Sequence, residues 1–381
     1  MSDLASFQFF ENPRGLQQRK RSAFEFLSEF DPALLDLLYF PSSGSTGEVK
    51  WLALSAKAMK VSASSVNSWI ASQSNDVFLR SIPNFHVGGY SVGLRAQLIS
   101  APLVELKEAW SVETFVEQLR HDNITVCSLV PTQVYDLVLK NMSSPNDLRV
   151  VLVGGGALDE GLYKMARQLG WPLLPTFGMT EASSQVATAS LESLNEQELP
   201  RMIVLPHWQV SCDEENFLCL NGESLASGIL SPTEDGAWTY ISINDEEPFK
   251  TQDKVKIVES LRGQSLEFLA RDSDVFKIGG ELCSLTKLVR CLDEVVLSMQ
   301  LCQKFAVVDV FDQRLGRKVV LAFERGVDQH TVQRLEREFN KRVMPYEGIR
   351  SLCEVESLPR SDLGKIQRPR LRKLLESREI I

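Results

Sequence analysis

The feature that most limits the possible folds is an alternation of short apolar runs with amphipathic stretches in the first half of the chain. Residues 125–130 and 150–153 are mostly apolar, and each is short enough to be one strand that is buried on both faces. The same pattern predicts a strand over 76–82 and helices over 112–119 and 132–139. Short buried strands separated by helices are typical of a parallel sheet covered by helices. The sequence therefore predicts an α/β fold.

The character of the sequence changes after residue 200. Short runs typical of strands, separated by turn-forming and acidic residues, lie at 217–220, 238–243, 255–258 and 266–269. They predict a β-rich subdomain over about 200–270. From residue 271 onward, two apolar strands and a helix with apolar residues at spacings of three and four indicate an α+β unit. The predicted domains are a large α/β domain over 1–270 and a small α+β domain over 271–381.

Charge, cysteine content and hydropathy argue against several classes of protein. The 381 residues carry a formal net charge of −9, so we expect no nucleic-acid partner. The seven cysteines include no CxxC pair and no zinc-type spacing, which is typical of reduced thiols in the cytoplasm. No signal-peptide pattern opens the sequence, and no apolar run approaches the ~18 residues needed to span a bilayer. These observations predict a cytoplasmic protein.

Residues 41–50, PSSGSTGEVK, combine two glycines, four hydroxyl side chains and a lysine. Consecutive N–H groups of a glycine-rich turn can converge on an anion, hydroxyls add donors, and a lysine adds positive charge. The candidate phosphate-binding residues are Ser42, Ser43, Gly44, Ser45, Thr46, Gly47 and Lys50. The flanking sequences indicate strands on both sides. A polar hairpin turn explains the segment equally well, and no Gly-Lys-Ser/Thr triplet makes it a Walker A loop.

Three consecutive glycines, Gly154, Gly155 and Gly156, directly follow the strand predicted at 150–153. Ligands of parallel sheets bind beyond the carboxyl ends of strands, so bare backbone at this position would let a flat ring lie close to the chain. A flexible strand-to-helix turn explains the same glycines without a ligand.

The segment TFGMTE at 176–181 carries side chains that suit a nucleotide. Phe177 can stack on a base, Thr180 can donate a hydrogen bond to a phosphate, and Glu181 can bind Mg²⁺, whose ligands are oxygens. Gly178 lies between the ring and these polar groups. Alternatively, Thr180 before Glu181 is an ordinary helix start.

Three charged residues nearer the C-terminus can also serve a nucleotide. Asp253 and Arg271 each come after a run typical of a strand, and a carboxylate there can accept both hydroxyls of a ribose. Lys365 lies in a Gly-Lys segment at 359–368, where a lysine on a flexible loop can reach an anionic transition state. Ordinary surface turns and loops fit these residues as well.

His86 and Arg95 accompany the segment FHVGG at 85–89. Histidine titrates near neutral pH and can gate a channel or transfer a proton, although a packed structural histidine has the same sequence signature. Arg95 lies in an otherwise apolar stretch, so its charge needs a partner. That partner is either a substrate carboxylate or an acidic residue of the protein.

In their order and spacing, these segments together resemble the motifs of the adenylate-forming superfamily of acyl-CoA synthetases, peptide-synthetase adenylation domains and luciferase. The resemblance covers about residues 37–370. Within the superfamily, SLVPTQ at 128–133, FHVGG followed by Arg95, and Thr-x-Asp at Asp253 are most similar to the o-succinylbenzoate–CoA ligases of menaquinone biosynthesis. The resemblance implies a large domain and a small mobile C-terminal domain that rotates between two half-reactions.

By this resemblance, the protein would be an AMP-forming acid–thiol ligase with ATP, CoA and a carboxylic acid as substrates and Mg²⁺ as cofactor. In the subfamily the acid is o-succinylbenzoate. Its carboxylate would attack the α-phosphate of ATP, giving acyl-adenylate and pyrophosphate, and the CoA thiol would then displace AMP.

The resemblance also implies a role for each candidate residue. The β- and γ-phosphates of the nucleotide would be held by Ser42 to Lys50, and the α-phosphate by Thr180. Glu181 would bind Mg²⁺, and Asp253 and Arg271 would bind the ribose. The adenine would be framed by Gly154, Gly155, Gly156, Phe177 and Gly178. Lys365 would compensate charge between the attacking carboxylate and the α-phosphate. On the acid, the implied contacts are a second carboxylate on Arg95 and an acyl pocket at His86 and Thr132, with His86 also at the CoA channel.

Three departures from the superfamily pattern bear on these expectations. The phosphate loop begins at residue 42, far earlier than is usual, so much of the N-terminal subdomain is expected to be absent or minimal. At the hinge, Ser273 stands where Asp or Lys is usual, and Phe177 replaces a common tyrosine.

Two other functions stay open from the sequence: a ligase for another acid or for a carrier protein, and a nucleotide-binding protein without catalysis. The presence of both Lys365 and Glu181 favours an enzyme, because a binding protein does not need a mobile lysine. A homo-oligomer is compatible with the sequence.

Overall fold

In a computed structural model of the protein, the chain divides into two compact units. The structure describes residues 9–10, 17–43, 49–106, 110–233, 235–243, 247–260, 263–362 and 364–377. The first unit comprises residues 1–158, 164–251 and 256–267, and the second comprises 159–163, 252–255 and 268–381. The domain boundary after residue 270 stays a prediction.

The helices begin where the sequence offers a cap and an apolar face. Within the described residues they are α1 (Gln17–Phe30), α2 (Ala56–Trp69), α3 (Val87–Leu98), α4 (Val112–His121), α5 (Pro131–Leu139), α6 (Glu160–Gln168), α7 (Leu285–Ser298), α8 (Gln329–Asn340) and α9 (Arg368–Glu376). The predicted cap at Ser55 is confirmed, because its hydroxyl accepts a hydrogen bond from the Ala58 N–H. None of these helices combines the length and apolar character needed to cross a membrane.

The strands of the first unit and of the chain segments that join the units include the buried runs predicted from the sequence. They are β1 (Leu38–Ser43), β2 (Val49–Leu54), β3 (Phe78–Arg80), β4 (Leu103–Glu105), β5 (Val126–Leu129), β6 (Val150–Val153), β7 (Leu173–Met179), β8 (Ser184–Thr188), β9 (Met202–Val204), β10 (Gln209–Cys212), β11 (Phe217–Asn221), β12 (Gly228–Pro232), β13 (Trp238–Ser242), β14 (Phe249–Ser260) and β15 (Gly263–Arg271). The strand expected over 76–82 is shorter than predicted.

A parallel sheet forms the centre of the first unit. Strands β4, β3, β5, β6 and β7 lie side by side in this order and run in the same direction. β8, β9 and β15 continue the sheet with antiparallel pairing. All four residues of β5 and of β6 are buried, as expected for strands with both faces covered. The predicted α/β class is confirmed.

A second sheet of the first unit joins segments that are far apart in sequence. Its order is β1-β2-β12-β13, and all its neighbours pair antiparallel. Alternate side chains enter two different cores: Trp51 packs with Leu27 of α1, whereas Leu52 packs with Met59 of α2 and Leu94 of α3. This period of two follows from the pleat of the strand. Two strands of the β-rich segment thus complete a sheet begun at residue 38.

The second unit is an α+β structure. Its strands are β16 (Val275–Ile278), β17 (Glu281–Ser284), β18 (Phe305–Asp312), β19 (Gly316–Glu324) and β20 (Ile349–Val355). β16 and β17 form a hairpin, and β18, β19 and β20 form a sheet in that order. Leu371 and Leu375 of α9 pack against Val308 and Val310 of β18 in a buried apolar cluster. This cluster holds α9, which directly follows the Lys365 segment, on the sheet.

Candidate active site

The carboxyl ends of β6 and β7 bring two predicted segments together. Val153 pairs with Pro175, and the Thr176 hydroxyl donates to the Val153 carbonyl at 3.2 Å. A Cβ added to Gly154 would lie 2.5 Å from Thr176 Oγ1, so only glycine permits this approach. Gly155 has a φ of +78°, which favours glycine as well. The backbone therefore needs glycine at the carboxyl end of β6. Gly155 and Gly156 are exposed there.

The turn after β7 presents Thr180 and Glu181 at the same edge. These residues belong to a three-residue 3₁₀ turn, Thr180–Ala182, so the alternative of an ordinary helix start is wrong. Ser183 and Ser184 follow with φ values of +50° and +107°. Such backbone costs about 1–3 kcal/mol per residue and clusters at functional sites. Thr180 and Glu181 both retain partial exposure.

Contacts within the first unit hold this strained turn. The Ser183 hydroxyl donates to the Ser224 carbonyl at 2.7 Å, and the Ala226 N–H donates to the Glu181 carbonyl at 2.8 Å. A Cβ on Gly178 would lie 1.8 Å from the Ser184 carbonyl oxygen. The pairing of β7 with β8 also shifts register between Phe177 and Gly178. Gly178 is thus required for the turn to fold back on its own strand.

The strands predicted on both sides of the phosphate loop are confirmed as β1 and β2. They pair antiparallel, and Ser42 stands opposite Lys50. Lys50 is partly exposed at the start of β2. Gly44, Ser45, Thr46 and Gly47 lie outside the described residues, so their part in phosphate binding stays a prediction.

Arg95 is a fully buried cation on α3. It is 2% exposed, its Nε donates to the Ser91 carbonyl at 3.2 Å, and its Nη2 donates to the Ser128 hydroxyl at 3.2 Å. Within the described part of the chain, Nη1 has no hydrogen-bond partner and no carboxylate forms an ion pair with this guanidinium. Burial lowers the pKa of Arg95 to about 10, so the group is still charged at neutral pH. An acidic partner inside the protein, one of the two alternatives, is not found among these residues.

Ser128, whose hydroxyl accepts a hydrogen bond from Arg95, is a residue that sequence reasoning did not single out. It lies in β5 and belongs to the motif SLVPTQ, which was noted only as a whole. The neighbouring Thr132 lies in the first turn of α5, directly beyond β5. His86 immediately precedes α3, with its ring 4.7 Å from that of Phe85. The structure therefore places Thr132 in the helix that follows the strand carrying Ser128, and His86 directly before the helix that carries Arg95.

The two glycines of FHVGG have different structural roles. A Cβ on Gly89 would lie 2.2 Å from the Pro83 carbonyl oxygen and 2.4 Å from that of Ile82, whereas nothing lies within 4 Å of one on Gly88. We expect Gly89→Ala to lower stability by about 3 kcal/mol, because the start of α3 must move away from the preceding loop. Gly88→Ala is the matched control and should leave stability unchanged or slightly raised. Thermal unfolding followed by circular dichroism checks this, and equal midpoints for the two variants would contradict it.

The second unit brings Asp253, Arg271 and Lys365 into one electrostatic neighbourhood. Arg271 Nε lies 2.7 Å from Asp253 Oδ1, and Nη2 lies 3.4 Å from Oδ2. Both residues were expected to follow a strand, but Arg271 is the last residue of β15 and Asp253 lies within β14. The shorter run at 255–258 belongs to this longer strand. Asp253 is buried beside the guanidinium.

Lys365 has a perturbed ammonium group. Its pKa lies below the ordinary value, first because surrounding protein displaces water and then because Arg271 and Arg368 add positive charge. Asp274 and Asp253 act in the opposite direction. Part of Lys365 stays exposed. A partly desolvated cation in a positive environment is suited to meeting an anionic ligand.

The residues available for a metal fit a single magnesium ion bound with phosphates. No three His, Cys, Asp or Glu side chains cluster as a metal site in the ranges that the structure describes. Mg²⁺ is usually held by one or two carboxylates together with substrate phosphates and water. Glu181 offers such a carboxylate on an exposed turn beside Thr180. The hinge predicted at Ser273 is not part of this metal site. It lies in the 3₁₀ turn Asp272–Asp274, and its role as a hinge stays a prediction.

Comparison with known proteins identifies relatives of this chain. A family model described as AMP-binding enzyme matches residues 10–213. The 2-succinylbenzoate–CoA ligase of Listeria innocua is 27% identical over 337 residues, which cover 87% of this chain and 68% of that protein.

Solved structures with the same fold include two of the o-succinylbenzoate CoA synthetase (MenE) from Bacillus subtilis. One is a complex with the acyl-adenylate intermediate OSB-AMP, with a TM-score of 0.71 and coverage of 88% of this chain and 68% of that one. The other is a complex with ATP and a magnesium ion, with a TM-score of 0.69 and coverage of 88% and 69%. Both are 21% identical to this chain, and the likeness is one of fold.

Proposed function

The chain belongs to the family of AMP-binding enzymes, and from this premise we propose that it is an ATP-dependent carboxylate–CoA ligase that activates o-succinylbenzoate. The reaction joins the acid to AMP as an acyl-adenylate with release of diphosphate, and CoA then takes the acyl group with release of AMP. The product is o-succinylbenzoyl-CoA, an intermediate of menaquinone biosynthesis. A cytoplasmic location and homo-oligomerisation stay predictions.

The single observation that carries the choice of acid is Arg95. A buried guanidinium in which one nitrogen donates no hydrogen bond costs free energy of desolvation unless a ligand supplies the missing acceptor. A dicarboxylate fits, because one acid group is activated while the other needs a cationic anchor. The Ser91 carbonyl and the Ser128 hydroxyl accept hydrogen bonds from the other two nitrogens, Nε and Nη2, and so hold Nη1 in one orientation. The Listeria innocua relative carries the name of this activity.

We propose a role in nucleotide binding for each of the predicted residues. In the first unit, the bare backbone at Gly154, Gly155 and Gly156 and the ring of Phe177 with Gly178 would frame the adenine. Thr180 would donate to the α-phosphate and Glu181 would bind Mg²⁺, which neutralises phosphate charge when bound. In the second unit, Asp253 and Arg271 would bind the ribose. The loop from Ser42 to Lys50 would hold the outer phosphates.

Lys365 would serve adenylation alone. The attacking carboxylate and the α-phosphate are both anions, so their approach requires compensating positive charge. His86 and Thr132 would line the acyl side, next to the Arg95 anchor. After adenylation the lysine has no further partner in thioester formation, which needs access for CoA instead. A movement of the small domain between these steps is part of the proposal.

Mass spectrometry of the purified protein with Mg-ATP and o-succinylbenzoate, with and without CoA, tests this function. We expect acyl-adenylate without CoA, and thioester plus AMP with it. AMP release with other carboxylic acids or with a carrier protein, but not with o-succinylbenzoate, would reject the proposed acid and keep the chemistry. ATP binding without AMP release for every acid tested would indicate a non-catalytic nucleotide-binding protein.

A further inference from the structure

Lys365 lies on a short hairpin of the second unit. Arg360 and Ile366 form an antiparallel bridge across it, and the Ser361 N–H donates to the Lys365 carbonyl at 2.8 Å. The Gln367 N–H donates to the Pro359 carbonyl at 2.7 Å. The segment that the sequence suggested as a flexible loop is therefore hydrogen-bonded on both sides of the lysine.

The Arg360 side chain joins this hairpin to the body of the unit. Its Nη1 donates to the carbonyl of Gly364 at 3.0 Å, and its Nη2 donates to the carbonyl of Gln303. Gly364 immediately precedes Lys365, and Gln303 lies just before β18. One guanidinium thus connects the peptide bond next to the lysine with the residues just before β18, an edge strand of the sheet. The fixed geometry of its donors suits it to two carbonyls at once.

The chain after the lysine is tied to the same strand. Arg368 Nε donates to the Val307 carbonyl at 3.3 Å, and Arg372 Nε donates to the Asp309 carbonyl at 3.0 Å. Arg372 also forms an ion pair with the buried carboxylate of Asp309. These contacts fix α9, whereas Arg360 acts on the tip of the hairpin. Gly364 has a φ of +73°, so the backbone turns sharply there in a conformation that glycine adopts readily.

We propose that Arg360 is a positioning residue for adenylation: it holds the Gly364 carbonyl and thereby sets the point from which the Lys365 side chain extends. The inference rests on the proposed function of Lys365. A displacement of about 1 Å at a reacting group can cost on the order of 10²-fold in rate. Loss of Arg360 should therefore reduce chemistry without removing any group that binds substrate.

Four variants separate this role from others. Arg360→Gln removes both donations, and Arg360→Lys keeps a single cationic donor. Arg325→Gln is the matched control, because this arginine of the same unit lies at the surface, 3.5 Å from the carboxylates of Glu354 and Glu356. Lys365→Ala supplies the reference for loss of the lysine itself. Each is assayed for adenylation with Mg-ATP and o-succinylbenzoate, and for thioester formation from synthetic o-succinylbenzoyl-AMP and CoA.

For Arg360→Gln we expect kcat for adenylation to fall by roughly 10- to 100-fold, with KM for ATP and for the acid nearly unchanged. Thioester formation and the thermal midpoint should match those of the control. Arg360→Lys should recover part of the lost rate. Hydrogen exchange of the intact protein should also show weaker protection of the Gly364 and Gln367 amides in Arg360→Gln, independently of activity.

The outcomes distinguish the two proposals. Full adenylation by Lys365→Ala would overturn the role of the lysine and, with it, the inference about Arg360. Loss in Lys365→Ala with full activity and unchanged exchange in Arg360→Gln would overturn the inference alone. An equal loss of both half-reactions in Arg360→Gln, with a lowered thermal midpoint and no recovery in Arg360→Lys, would assign Arg360 to general stability and would also overturn it.

Discussion

Lys365→Ala is expected to lower the rate of acyl-adenylate formation by about 10²- to 10³-fold while leaving thioester formation from preformed acyl-adenylate largely intact. The reason is that only the first half-reaction brings two anions together. Removing the one ammonium group proposed to lie between them leaves the charge of the developing transition state uncompensated. The thiol attack in the second half-reaction involves a neutral carbonyl and has no such requirement. Single-turnover assays of each half-reaction measure the two rates separately.

The pH dependence of the same step reports on this lysine. Because the pKa of Lys365 lies below that of an ordinary lysine, the ammonium group loses its proton at a lower pH than usual. The adenylation rate should therefore fall on the alkaline side at a pH below about 10.4, the ordinary lysine value. In Lys365→Arg the alkaline fall in the adenylation rate should occur at a higher pH, whatever the absolute rate of this variant, because a guanidinium stays charged.

A matched lysine provides the control for this prediction. Lys341 lies at the surface of the same unit and pairs with Glu338 at 2.7 Å, so Lys341→Ala removes a lysine without approaching the candidate site. It should retain both half-reactions. Equal losses in the two half-reactions of Lys365→Ala would show that the lysine does not act in adenylation specifically.

Replacing Arg95 with methionine should raise the KM for o-succinylbenzoate by about 10²-fold or more, and leave the KM for ATP nearly unchanged. The buried anchor for the second carboxylate is lost, and methionine supplies no charge in its place. The same change should raise the thermal midpoint of the protein without ligand. Among the described residues the Arg95 charge has no acidic partner, and replacing such a group by an apolar side chain of similar size removes a desolvation cost.

A raised KM for o-succinylbenzoate together with a raised thermal midpoint is the diagnostic result for Arg95→Met. Arg120→Met is the control, because Arg120 is an exposed arginine on α4 of the same unit. It should change neither quantity. An analogue of o-succinylbenzoate that keeps the activated carboxylate but lacks the second one should be used equally poorly by the wild type and by Arg95→Met. An unchanged KM for the acid in Arg95→Met would remove this residue from the substrate site.

Several features of the protein could be predicted from sequence because they depend on local chain properties. The strands at 150–153 and on both sides of residues 44–47, the helices at 112–119 and 132–139, and the cap at Ser55 follow from periodicity and side-chain chemistry over a few residues. The motif order identified the family for the same reason. The glycines and charged residues that we propose to contact a nucleotide lie in short segments whose spacing can be read along the chain.

Only the tertiary structure decided how these residues are partnered. Sequence left open whether Arg95 meets an acid of the protein or of a substrate, and in the structure its guanidinium donates to Ser128, which is 33 residues away in the chain. Sequence alone placed Asp253 after a strand. In the structure Asp253 lies inside β14, and its carboxylate pairs with Arg271, 18 residues later in the chain. Likewise, Arg360 lies 57 residues from the carbonyl of Gln303 that it binds. Such pairings are set by which strands become neighbours, and the free energy that selects them comes from burial over the whole unit rather than from local propensity.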